Sequence, residues 1–167
     1  MKNNTIKNSK SSRKWILYSI GVVMFLYVLG NLFASNDPKP LKPVLALEHI
    51  ANHSIEEVQK EVGKGEFKLN WKDKKAGCLT CPKYTYKDDS LEVIYIDGKA
   101  DRITLNHLQA YPFNDYFITA LGLPYKEADF KNESVIRWYN YQGFKEIMTF
   151  NDGNGQVHYG LIKTHAD

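Results

Sequence analysis

The stretch from Trp15 to Ala34, WILYSIGVVMFLYVLGNLFA, constrains this chain more than any other part of it. It runs for twenty positions without a charged residue. At 1.5 Å of rise per residue, that length matches a hydrocarbon core of ~30 Å, so it reads as a transmembrane helix. The fourteen residues before it carry Lys2, Lys7, Lys10, Arg13 and Lys14 and no acid. Basic flanks stay on the cytoplasmic side, which predicts an N-terminus inside and the rest of the chain outside, periplasmic or extracellular. Two features set an uncleaved anchor above a cleaved signal peptide. The apolar run exceeds the usual length, and Leu32 is too large for the small-residue pattern a cleavage site after Ala34 would need.

Charge divides at the same place. Five of the 22 basic residues lie in the tail and all 19 acids lie beyond the span, leaving the outer part near −2. The expected partners are therefore a bilayer through residues 15–34 and an envelope protein, with nucleic acid excluded for want of a basic face. Pro38, Pro40 and Pro43 mark residues 35–43 as a semi-rigid spacer. Val44 onward leaves about 124 residues, enough for one modest core.

The outer part reads as α+β. Ser54-Ile55-Glu56-Glu57 is a capping box, Ile55, Val58 and Val62 follow at helical spacing, and Gly63 is a stop. A further helix is expected over 44–52. Phe67, Leu69 and Trp71 alternate with polar residues as a strand with one wet face. Tyr84 and Tyr86 alternate on one side of the next strand. Leu91 to Ile96 is a β-rich run, Asp97-Gly98 a two-residue hairpin, and Ala100 to Leu105 the returning strand. The order then recurs: a helix from Asn114 to Gly122, strands over 134–141 and 144–150, a turn at Asn151–Gly155 and a last strand over 156–163. Corresponding caps lie 60 positions apart and corresponding strands 53 to 55 apart. The expectation is two helix-plus-antiparallel-meander units, 44–110 and 111–164, in one small extracytoplasmic domain behind the N-terminal transmembrane helix.

Leu121-Gly122-Leu123-Pro124, Trp138-Tyr139, the strand to Phe150 and Gly155-Gln156-Val157 together resemble the pattern of SmpA/OmlA-like envelope lipoproteins, the BamE family. Doubled, the unit resembles the tandem domain of secreted β-lactamase inhibitor proteins. The likeness covers residues 54 to 163. It departs at Val62-Gly63-Lys64-Gly65, which lacks the proline, and at the absent lipidated cysteine. The resemblance implies protein–protein contact in the envelope without catalysis, as assembly accessory or as inhibitor, and carries over no site residue.

Chemistry candidates are few. Cys78 and Cys81 are the only cysteines, and an oxidising compartment makes a structural disulfide the leading reading. Extended, their Cα atoms would lie ~10 Å apart, beyond the ~7 Å limit, so a turn is required that ends the strand before Tyr84. The functional alternatives are a redox dithiol, which would make the protein an envelope thiol-disulfide oxidoreductase, and half of a zinc site completed by His49, His53, His107 or His158. His49 and His53 share a face if that segment is helical. No catalytic motif, cofactor fingerprint or metal-ligand spacing stands out. The remaining signal is aromatic. Tyr84, Tyr86, Tyr95, Trp138, Tyr139 and Tyr141 fall in predicted strands, and a sheet face lined by them would suit a protein partner.

Overall fold

A computed structural model describes residues 41–164. The basic tail 1–14, the predicted transmembrane helix 15–34 and most of the spacer lie outside the described residues. Among the described residues no helix is long and apolar enough to cross a membrane. The expected single-pass inner-membrane localisation is corrected to that extent: no described element carries it.

The α+β expectation is corrected too. Eight strands form one antiparallel sheet: β1 (Glu66–Asp73), β2 (Cys78–Tyr86), β3 (Leu91–Ile96), β4 (Lys99–Leu105), β5 (Phe130–Lys131), β6 (Val135–Tyr141), β7 (Phe144–Asn151) and β8 (Val157–Thr164). Their spatial order is β1-β2-β3-β4-β8-β7-β6-β5. The two runs of strands meet along β4 and β8, where Ile103 faces Ile162 and Leu105 faces Gly160. The domains expected over 44–110 and 111–164 thus share one sheet and one core.

Helix is scarce beside it. The Ser54 cap holds as read, with its hydroxyl accepting from the Glu57 amide and the Glu57 carboxylate accepting from the Ser54 amide. It starts α1 (Ile55–Val62), which Gly63 ends at φ 94°. The helix expected over 44–52 is only a 3₁₀ turn, Leu47–His49, so His49 and His53 share no helical face. The helix expected from Asn114 shrinks to α2 (Phe117–Ala120). Asn114 bonds the Tyr116 amide in a local turn, and Gly122 takes φ 76°, leaving room for one turn between them.

Cross-strand partners explain which residues are inside. Phe67, Tyr84, Val93, Ile103, Ile162, Ile147 and Trp138 follow one another across seven strands on a single face. Leu47, Ile50, Val58, Phe117, Ile118 and Leu121 cover that face and complete the main core. The other face reads Lys83, Ile94, Arg102, Lys163, Glu146 and Tyr139 in the same order. Charges there are neutralised across strands: Lys83 meets Glu92, and Glu146 lies 3.3 Å from Arg137 and 2.7 Å from Lys163.

The tight turns follow their residues. Asp97 and Gly98 both take positive φ, as do Gln142 and Gly143, which suits the twist of two-residue hairpins. At Asn151–Gly155 the two acceptor side chains bond backbone amides of the turn itself, Asn151 those of Gly153 and Gly155, and Asp152 those of Asn154 and Gln156.

Candidate functional site

The six aromatic residues expected to line one binding face do not lie on one surface. Tyr86, Tyr95 and Trp138 are core residues, exposed by 2 %, 1 % and 0 %. They are corrected out of any contact surface. A sheet buries one face, and alternate residues of each strand fall on it. The hydroxyls of Tyr86 and Tyr95 lie 2.6 Å apart and satisfy each other. Burial is the main cause that pushes both phenols above their ordinary range, so the pair stays neutral. Gly65 packs so closely on the Tyr86 ring that a Cβ there would overlap it. Tyr84 is half-buried, in ring contact with Phe67, Tyr86 and Tyr95. Tyr141 is also half-buried and donates its hydroxyl proton to the Pro124 carbonyl at 3.0 Å. Only Tyr139 is exposed.

Among the described residues the exposed large apolar side chains are Phe67, Leu69, Leu79, Tyr125, Phe130 and Tyr139. They fall at the two edges of the sheet, three at each. Sequence alternation missed the first group because it assigned Phe67, Leu69 and Trp71 to one face. A bulge breaks that alternation. Phe67 pairs with Tyr84 and Leu69 with Lys83, so the two side chains leave β1 on opposite faces.

At the first edge, β1 pairs with β2 along its length, and no described strand lies on its other side. Alternate backbone N–H and C=O groups of an eight-residue edge strand point outward there. Residues 64–75 carry Lys64, Lys68, Lys72, Lys74 and Lys75 against Glu66 and Asp73, and Asp89 of the β2–β3 turn lies 3.6 Å from Lys68. Asp73 accepts from the Lys75 and Ala76 amides, and Glu66 pairs with Lys68 at 3.0 Å. The edge is basic, extended and half apolar.

At the far edge the chain closes itself. β5 is two residues long. Beyond it, the Asp129 carboxylate accepts the Tyr139 amide at 2.7 Å, and Trp138 donates its indole N–H to the Lys126 carbonyl at 2.9 Å. The Asp129 carboxyl is held below its ordinary value, first by the Lys126 ammonium and then by that amide. Tyr125 stacks on Tyr116 with ring centres 4.5 Å apart.

Cys78 and Cys81 form a disulfide with Cα atoms 5.8 Å apart. The turn expected to end the strand is instead a bulge inside β2. Trp71 faces Cys81 and Asp73 faces Cys78, so Leu79 and Thr80 are pushed out opposite one residue of β1. Both half-cystines are buried, at 1 % and 6 %, in a small cluster with Trp71, Ala76, Ile94 and Ile96 that is separate from the main core. The pair sits within a strand, not at a helix N-terminus. Among the described residues, no three His, Cys, Asp or Glu side chains come together as a metal site.

No family model, curated protein or solved structure matches this chain. The functional reading therefore rests on the geometry of the two edges.

Proposed function

We propose that this domain is a non-catalytic protein-binding module that takes an extended segment of another protein along β1. The observation that carries the reading is the one-sided pairing of β1 over eight residues, with Phe67 and Leu69 each half exposed. Strand addition satisfies the outward backbone groups of such an edge, and side chains on alternate faces select the sequence. The excess of lysine from 64 to 75 favours a segment that alternates apolar residues with Asp or Glu. Protein–protein contact without catalysis is also what the SmpA/OmlA-like resemblance implies. The two bulges and the lysines keep the same edge from pairing with arbitrary strands. The rival thiol–disulfide exchange finds little support here: attack on Cys81 requires a thiolate to reach a sulfur packed under Trp71, with no helix terminus to stabilise a leaving thiolate.

The test is site-specific photo-crosslinking of the full chain in its own cells, with the photoreactive residue at position 69 or, as control, at 139. The expected result is a discrete protein adduct from 69 that disappears when Leu69's neighbour Asn70 is changed to Pro, while circular dichroism stays unchanged. An adduct from 139 and none from 69 overturns the proposal, as does an adduct from 69 that survives Asn70→Pro.

A further inference from the structure

A cavity of about 310 Å³ opens on the side of the domain where the entering segment Lys42–Leu45 crosses the ends of the strands. Its floor includes Leu91, Leu105 and Leu108, each only 2 % exposed, so the apolar surface is continuous with the main core. Its rim is different in kind. Lys42, Lys87 and His107 stand there, and no acidic residue lines the cavity. Among the described residues neither Lys42 nor Lys87 has an ion-pair partner. Asp89, the acid of the adjoining turn, is engaged by Thr85 and by Lys68 at 3.6 Å, and it also lies within electrostatic reach of His107.

The cavity is built, not incidental to loose loops. The Asn106 amide donates to the Ser90 carbonyl at 2.9 Å, and the Asn106 side chain to the Asp89 carbonyl at 2.8 Å, which locks the β2–β3 turn to the end of β4. The Val44 amide donates to Ala120 at 2.8 Å and fixes the entering segment across the opening. Lys87 and His107 are both held at positive φ, 50° and 59°, a region that residues with a Cβ rarely occupy.

An apolar floor under two lysines without ion-pair partners, with the His107 ring beside them, is complementary to an anion with an apolar tail. From this juxtaposition we infer that the cavity binds a small carboxylate carrying a short hydrocarbon tail, with the tail on Leu91, Leu105 and Leu108 and the carboxylate between Lys42, Lys87 and His107. At ~30 Å³ per water-sized volume, the space holds about ten non-hydrogen atoms, the size of an eight-carbon acid. The rim has no arginine, the residue whose fork grips phosphate in two places, so a carboxylate is the better match. The same chemistry could arrive as a free acid or as the C-terminal carboxylate of a chain ending in a large aliphatic residue. This site is separate from the β1 edge and does not depend on the strand-addition reading.

The test is nuclear magnetic resonance titration of the isotopically labelled full chain with sodium octanoate, with 1-octanol, with inorganic phosphate, and with acetyl-Ala-Leu as free acid and as amide. Octanoate is expected to give saturable shifts at the Leu91, Leu105 and Leu108 methyls and the His107 amide. Lys42→Ala with Lys87→Ala should weaken that binding about tenfold, since two partly solvated ion pairs are lost. Tighter binding of the acetyl-Ala-Leu acid than of octanoate, with the amide inert, supports the site and assigns its source to a chain terminus. No saturable shift from octanoate or the dipeptide acid overturns the inference. Equal affinity for 1-octanol overturns the role of the rim, and equal affinity for phosphate overturns the role of the floor. Binding untouched by the double lysine variant overturns the assignment itself, and Leu91 to Leu108 shifts in that variant's free spectrum report whether it is folded.

Discussion

The two edges of the sheet solve one problem in opposite ways. An edge strand presents unpaired backbone groups, and a protein must cover, blunt or use them. At the β6 side the chain covers them. A two-residue β5, the Asp129 carboxylate on the Tyr139 amide and the Lys126 carbonyl on the Trp138 indole close that edge with its own atoms. At the β1 side no described segment lies alongside. Bulges and lysines blunt that edge without covering it. The two sides also differ in what holds them. Trp138 belongs to the main core, whereas the far end of β1 and β2 is pinned by a separate cluster around the disulfide. The difference teaches that one edge is part of the folding unit and the other is an attachment with its own staple. Such locally held elements are where binding segments tend to be found.

The sharpest way to break that contrast is to truncate an aromatic on each side. Trp138→Ala removes a fully buried ring and orphans the Lys126 carbonyl. It should cost about 3–5 kcal/mol in urea unfolding. Phe67→Ala removes a half-exposed ring that packs edge-on to Tyr84 with ring centres 5.7 Å apart, and should cost about 1 kcal/mol. Equal losses would show that β1 is as much a part of the core as β6. Next in size is the staple. Replacing Cys78 and Cys81 together by Ser reopens a four-residue loop, an expected loss of about 2 kcal/mol from chain entropy. The sharper readout is where protection falls. Amide exchange should accelerate in β1 and β2 and stay unchanged in β6 and β7, because the disulfide cluster is separate from the main core. Acceleration spread over the whole sheet would contradict a locally held attachment.

The closed edge has an acid-sensitive latch. Asp129 is held below its ordinary value of 3.8, chiefly by Lys126 and then by the Tyr139 amide. A carboxyl with a depressed folded-state pKa favours the folded state above its unfolded pKa. That contribution is lost as pH falls through the folded value. Asp129→Asn keeps an acceptor for the amide and removes the charge, so the variant should be less stable than the parent at pH 6. The difference should start to shrink as pH falls below the ordinary carboxyl value of 3.8 and vanish only below the lower folded-state value, where the parent's carboxylate is protonated. A stability gap that stays constant from pH 6 down to pH 2 would mean that the charge does not act at this edge.

Much of this was legible where the physics is local. The Ser54 capping box, the Asp97-Gly98 turn and the strand from Leu91 to Ile96 depend on neighbours in sequence, and the structure has them at those residues. Non-local pairing was not legible. Nothing in the residues of β4 and β8 announces that Arg102 will face Lys163, yet that join turns two expected α+β units into one sheet. The aromatic site failed for a related reason. A period of two says that Tyr86 and Tyr95 leave their strands on a definite face, but only the helices and the entering segment decide which face is covered. The bulge at Lys68 is hidden in the same way, because it needs the partner strand's register to exist at all. The cavity above Leu105 is hidden most deeply, since its rim comes from three segments far apart in the chain.

The smallest expected effect separates attachment from fold most cleanly. Leu69 is about half exposed and leaves β1 next to Lys83, on the face already laced with charge. Changing it to Lys removes one exposed apolar side chain and adds a charge near the lysines of that edge. Surface changes of this kind stay within about 0.5 kcal/mol, so the urea midpoint should barely move. Binding should respond far more. A strand docking on β1 would lose its apolar contact there; a basic strand would add a like-charge cost, whereas an acidic one would gain a screened attraction that offsets part of the loss. The photo-adduct carried from position 67 should therefore weaken several-fold in Leu69→Lys and recover partly as salt is lowered, because attraction between exposed charges is screened by salt. A variant with unchanged stability and an unchanged adduct would mean that the open edge is exposed without being used.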